Sequence, residues 1–242
     1  MTRMRADLLL VARGLAESRA KARAAIESGG VTANGAAVEK AADLIEENAD
    51  LTLAPPHPWV SRAGVKLAHA LDAFGVDPAG RVCLDVGAST GGFTHVLLTR
   101  GAAHVYAVDV GTGQLHASLR DNARVTNLER TDARALTRAQ IVAPPSLIVC
   151  DASFIGALKV LLGPLQLAAP SADLIVLIKP QFEAGPKAGS KAGVLDEDTA
   201  RAAAAQSIDA LEGVEGFRKV AVSDSPIRGG DGNLELLLHM RR

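Results

Sequence analysis

From Trp59 to the end of the chain, short apolar runs alternate with stretches of helical spacing, and this alternation constrains the fold more than any other feature. The runs are Val82–Val86, Val105–Val110, Leu147–Cys150 and Leu174–Ile178, followed by two near Lys219–Val222 and Leu234–Met240. Strands interleaved with helices predict an α/β fold built on a mostly parallel, doubly wound sheet. In such a sheet ligands sit at the carboxyl ends of the strands.

A break precedes this pattern. Ala54-Pro55-Pro56-His57-Pro58 can extend neither a helix nor a strand, because proline fixes φ and removes a donor. A small domain is therefore expected over residues 1–54, a linker over 55–60 and the larger domain over 61–242. With 242 residues, the chain can bury one substantial core and still supply a small second module. In the small domain, Leu8–Ala16 and Ser18–Ser28 have helical spacing, the second with Ser18 as N-cap and Gly29-Gly30 as its stop. Asn34-Gly35 marks a tight turn inside Val31–Val38, and Leu51–Leu53 reads as a further strand, which gives a small α+β unit.

The net charge of −1 conceals a segregation. Arg3, Arg5, Arg13, Arg19, Lys21 and Arg23 open the chain against Asp7 and Glu17, whereas Glu39, Asp43, Glu46, Glu47 and Asp50 cluster around Lys40. A basic face of this kind suits nucleic-acid phosphates. Cys83 and Cys150 each lie in an apolar run and read as buried thiols of a reducing compartment, not a disulfide. The first residues lack a secretory pattern, and no apolar run approaches the ~18 residues of a membrane span, so a cytoplasmic protein without membrane contact is expected. Histidines and cysteines form no metal-ligand cluster, and no metal is expected.

The chemistry-bearing residues fall where the predicted strands end. Asp85, Gly87, Ser89, Gly91, Gly92 and Phe93 form a glycine-rich turn after Val82–Val86, where backbone can approach a ligand closely at a helix N-terminus. Asp109, ending the next strand, suits a ribose diol, and Asp132 suits an adenine amine. No G-x-G-x-x-G follows the strand, so a nucleoside-bearing cofactor fits better than a dinucleotide. Asp151 follows Ile148-Val149-Cys150 without the proline-rich turn typical of enzymes that methylate base amines, and Lys179 follows Leu174–Ile178. A lysine among carboxylates can orient a hydroxyl and, if its pKa is lowered, deprotonate it. Lys66 and Glu235 complete a possible Lys-Asp-Lys-Glu group.

These residues carry a resemblance. The larger domain resembles the FtsJ-like ribose methyltransferases, a Rossmann-like fold with a Lys-Asp-Lys-Glu tetrad, and the whole chain is similar to the TlyA family, in which an S4 RNA-binding domain precedes that fold. The matching stretches are Arg13–Arg19, Trp59–Arg62, Asp85–Thr94, Asp109–Leu115, Ser153–Ile155, Lys179–Glu183 and Gly232–Glu235. The resemblance implies S-adenosyl-L-methionine as cofactor and 2′-O-methylation of cytidine ribose in ribosomal RNA, free or in ribosomal subunits, with no DNA partner. It implies Lys66, Asp151, Lys179 and Glu235 as catalytic residues and the cofactor over Gly87–Phe93 and near Asp109. Arg3, Arg5, Ser18, Arg19, Lys21, Arg23 and Lys40 become RNA contacts, with Lys187 and Lys191 of the Lys/Gly-rich segment Ala184–Gly193 as weaker candidates. The short termini are similar to a subtype that acts on the large-subunit RNA. Two departures stand out: His95 where relatives carry an acid and Asp132 where they often carry asparagine. Other readings are a ribosome-assembly factor without turnover, a haemolysin, as family members are often labelled, and an NAD-dependent enzyme. The intact tetrad, the lack of a signal or membrane segment, and the missing dinucleotide turn respectively weigh against them.

Overall fold

The computed structural model describes residues 2–27, 30–53, 57–183 and 194–242, and the chain divides into two compact units, Met1–Pro58 and Trp59–Arg242. Lys187, Lys191 and the rest of 184–193 lie outside the described residues, as do Pro55 and Pro56.

In the first unit, β1 (Arg3–Arg5) leads into α1 (Ala6–Ala12), followed by α2 (Arg19–Glu27), β2 (Val31–Ala33), β3 (Ala36–Ala37), β4 (Leu44–Glu46) and β5 (Leu51–Leu53). Leu9 and Leu10 of α1, Ala22 and Ile26 of α2, Val31 and Ile45 close its core. Asn34 (φ 50°) and Gly35 (φ 79°) are both left-handed, the backbone that a two-residue hairpin loop between β2 and β3 demands. The first helix starts two residues earlier than its spacing suggests and stops at Ala12, where Gly14 (φ 68°) turns the chain. Arg13 then donates to the carbonyl oxygens of Ala49, at 2.7 Å, and Glu47. The β1–β4 pair, with Met4 opposite Ile45, is not anticipated, since strands of three residues show no period to read.

The second unit contains α3 (Ala63–Phe74), β6 (Val82–Val86), α4 (Gly92–Thr99), β7 (His104–Val108), α5 (Ala117–Arg120), β8 (Val125–Leu128) and β9 (Leu147–Cys150). It continues with α6 (Ala157–Leu167), β10 (Asp173–Ile178), α7 (Pro180–Glu183), α8 (Glu197–Leu211), β11 (Arg218–Asp224) and β12 (Leu236–Arg241). The seven strands order as β11-β12-β10-β9-β6-β7-β8, with β12 antiparallel to both neighbours. This is the doubly wound sheet the alternation predicts. All of β10 is buried because helices cover both faces: Leu174, Val176 and Ile178 pack on one side, Ile175 and Leu177 on the other. β6 and β9 run parallel, but the strands after β6 are added first on its β7 side and then on its β9 side, and this switch opens a crevice at the carboxyl ends of β6 and β9. At the opposite end of β10, Asp173 gathers His239 (2.8 Å), Arg241 (2.7 Å) and Arg81 (2.8 Å), far from chemistry. Among the described residues no helix is long and apolar enough to cross a membrane.

Candidate functional site

Two clefts open where β6 and β9 end. The first, about 380 Å³, is walled by Val86, Val108, Val110, Ile155 and Val160, with Asp109, Asp132 and Asp151 at its edges. Both carboxylate oxygens of Asp109 are hydrogen-bonded to backbone: Oδ2 accepts from Ser89 N at 2.8 Å and Oδ1 from Gly111 N at 2.7 Å. The acid thereby ties the loop after β6 to the loop after β7. It follows β7, which ends at Val108, rather than closing the strand. Gly87 (φ 83°) lets the end of β6 lie against β9, since a Cβ there would stand 2.9 Å from the Asp151 carbonyl oxygen. A cleft of this size, apolar with a few fixed acids, fits a nucleoside-sized molecule.

Asp132 already has partners within the protein. Its side chain caps the short helix Ala133–Ala135, and both its oxygens accept from Arg134, at 2.6–3.0 Å, which holds the carboxyl below its ordinary pKa. It still lines the cleft, accompanied by Arg134. Of the remaining cofactor candidates, Asp85, Gly91, Gly92 and Phe93 do not line it. Phe93 is a core side chain, and a Cβ on Gly92 would collide with Ser61 Oγ, so these positions pack α4 against the start of α3. Asp85 is fully buried, accepts from Thr94 Oγ1 at 2.6 Å, and is pushed up to about 7 mainly by burial. His95 accepts from Val60 N at 3.2 Å and packs edge-on against Trp59.

The second cleft, about 480 Å³, brings Lys66, Asp151 and Lys179 together with Arg62, and shares Gly87, Ser89, Asp151 and Ser153 with the first. Lys179 Nζ lies 2.6 Å from Asp151 Oδ1 and donates to Ser153 Oγ at 2.7 Å. Lys66 pairs with Glu235, and both side chains are buried, at 8% and 3% exposure. Glu235 does not line the cleft; burial raises its pKa, and Lys66, then Lys179, oppose that rise. The four predicted residues therefore interact as one electrostatic group with two layers. Sequence reasoning gave no role to Ser153, which stands on the wall between the clefts, or to Phe154, which is 89% exposed with φ 66° on the rim and lies 5.1 Å from the Phe182 ring. Their signal was present, since residues directly after a parallel strand face the ligand crevice.

In the first unit, Arg5, Arg19, Arg23 and Lys40 line a groove with Asp7 and Glu39. Arg3 lies apart, 3.8 Å from Glu46, and Lys21 pairs with Glu17. Ser18 Oγ accepts from Lys21 N at 3.2 Å, the capping geometry its position suggests.

Comparison with known proteins agrees with both halves. The FtsJ-like methyltransferase family matches residues 59–242, and the S4 domain matches residues 4–51. The 16S/23S rRNA (cytidine-2'-O)-methyltransferase TlyA of Mycobacterium tuberculosis is 44% identical over 99% of this chain and 90% of its own length. Hemolysin A of Brachyspira hyodysenteriae is 38% identical over 98% and 99%. A solved structure from Streptococcus thermophilus superposes with a TM-score of 0.77 at 34% identity, covering 100% of this chain and 89% of that one. With both domains matched and a relative this similar across nearly the whole length, the chain belongs to the TlyA family, an S4 domain joined to an FtsJ-like methyltransferase domain.

Proposed function

We propose that this enzyme methylates the ribose 2′-hydroxyl of cytidine in ribosomal RNA, using S-adenosyl-L-methionine as donor. The observation that carries the reading is the shared wall: a nucleoside-sized cleft and a cleft holding Lys66, Asp151 and Lys179 meet at Gly87, Ser89, Asp151 and Ser153. When bound, the cofactor supplies an electrophilic sulfonium methyl group. Asp109 would hold its ribose hydroxyls, and Gly87, Ser89, Asp132 and Arg134 line the same cleft.

Lys179 is the group that meets the acceptor. Its ammonium donates to Ser153 and lies 2.6 Å from Asp151, contacts that hold it at the wall of the cleft with donor capacity left for a ligand. Directed at a ribose 2′-oxygen, it orients the lone pair for attack and stabilises the negative charge that grows as the hydroxyl proton passes to the Asp151 carboxylate, which borders the same cleft. Lys66, held by Glu235, adds positive charge to the same cleft. Phe154 offers an exposed aromatic face beside the wall, suited to a base displaced from its stack.

The S4 unit binds RNA through Arg5, Arg19, Arg23 and Lys40, with Arg3, Ser18 and Lys21 at its margin, and the catalytic domain begins at Trp59. Acting on ribosomal RNA or ribosomal subunits places the work in the cytoplasm. The test is label transfer: methyl-labelled S-adenosylmethionine is incubated with small subunits, large subunits and their free RNAs, using wild type and Lys179→Ala. Label in RNA that depends on Lys179 is expected. Absence of label with every substrate favours an assembly factor without turnover.

A further inference from the structure

Asp7 is the second residue of α1, and its carboxylate is buried, 3% exposed as a residue, where it lines the basic groove. A buried anion is costly unless it is paired and hydrogen-bonded. Here Oδ1 accepts from Arg5 Nε at 3.0 Å and from Leu8 N at 3.0 Å, while Oδ2 accepts from Arg5 Nη2 at 3.1 Å and Arg19 Nη2 at 2.9 Å. Two guanidinium groups from different elements thus converge on one carboxylate. Their side chains nevertheless remain 43% and 61% exposed. The two-pronged contact fixes the plane of the Arg5 guanidinium, and the single contact tethers Arg19 beside it. Each arginine keeps further N–H donors that the carboxylate does not use.

We propose that Asp7 is a positioning residue for phosphate recognition, holding Arg5 and Arg19 in one fixed arrangement that presents their remaining donors to neighbouring phosphates of an RNA backbone. The inference rests on the RNA-binding reading of the groove. An unrestrained arginine loses about 2 kcal/mol of rotamer entropy on being fixed, and a tether formed during folding removes part of that loss from the binding step. The Arg5 hydrogen bonds hold the Asp7 carboxyl well below the usual range against the opposing effect of burial, so the clamp stays charged at neutral pH.

The sign of the effect separates this role from simple charge counting. Removing an anion from an RNA-binding groove tightens binding if only net charge matters, whereas loss of the clamp weakens it. In the full-length enzyme with unmethylated ribosomal subunits, Asp7→Asn is expected to raise KM for the subunit five- to twenty-fold, leaving kcat and cofactor affinity unchanged. In an Arg5→Ala/Arg19→Ala background the same substitution is expected to change KM less than twofold. Wild-type or lower KM for Asp7→Asn overturns the inference, as does an undiminished effect in that background. If Arg5→Ala/Arg19→Ala itself matches wild type, the RNA-binding reading of the groove fails and the inference fails with it. Should Asp7→Asn unfold the S4 unit by circular dichroism, Arg5→Lys replaces it: the charge is kept, the two-pronged contact is lost, and a several-fold rise in KM is again expected, an unchanged KM being contradictory.

Discussion

Lys179 Nζ lies 2.6 Å from Asp151 Oδ1, although α6 separates the two residues in the chain. Each directly follows a parallel strand, and β9 and β10 are neighbours, so a contact that looks long-range in sequence is a local consequence of the sheet. Both side chains are mostly covered but not sealed, at 11% and 15% exposure.

That partial exposure sets the first prediction. Lys179→Ala should lower methyl transfer by roughly 10²–10³-fold, the range for loss of one positioned donor that stabilises developing negative charge. Stability should fall by about 1–3 kcal/mol, less than for the more deeply buried Lys66–Glu235 pair, because solvent still reaches the Asp151 carboxylate left behind. Single-turnover transfer and calorimetry on one preparation check both halves.

The Lys66–Glu235 pair should behave otherwise. Removing one partner of a buried pair leaves an uncompensated charge, so Lys66→Met should destabilise the fold by about 3–5 kcal/mol as well as impair turnover. Lys66→Met combined with Glu235→Leu should recover stability but not activity, as read by denaturant unfolding beside a transfer assay. Recovery of activity in the double variant would remove Lys66 and Glu235 from the mechanism.

Asp85 predicts a pH dependence. Its folded-state pKa, pushed up to about 7, lies above the ordinary 3.8, so the folded protein binds the extra proton more tightly than the unfolded chain. The resulting stability is fully present below about pH 4 and is lost as pH rises through 7. Asp85→Asn, which cannot ionise, should show a shallower fall in Tm between pH 5 and pH 8 than wild type. Parallel curves would refute the assignment.

Gly87→Ala should raise the cofactor Kd at least tenfold by calorimetric titration. The left-handed φ of 83° is unfavourable for alanine, and the added Cβ would press on the Asp151 carbonyl at 2.9 Å, forcing apart the strand ends that form the shared wall.

The sequence was most legible where burial on both faces makes strands continuous: Val82–Val86 and Leu147–Cys150 match the observed β6 and β9 residue for residue. Short, half-buried elements were hidden. β8, whose four residues are all partly exposed, and the β1–β4 pair carry no periodicity long enough to read. In the site, the four-residue group was legible because each member sits beside a recognisable strand end or helix. Ser153 and the clamp by Asp7 were not, since hydrogen bonds to Lys179, and to Arg5 and Arg19, depend on side-chain directions that spacing does not encode. Within the glycine-rich turn, spacing alone does not tell Gly92, whose missing Cβ makes room for Ser61 and Ala63, from Gly87 and Ser89, which line both clefts, or from Phe93, which lines the second.

The central claim is hydroxyl chemistry on ribose, and the identity of the labelled nucleoside tests it most directly. RNA methylated by the purified enzyme with labelled S-adenosylmethionine is digested to nucleosides and analysed by mass spectrometry. Label in 2′-O-methylcytidine is the predicted result; label on a base, with the ribose unmodified, contradicts the roles given to Asp151 and Lys179.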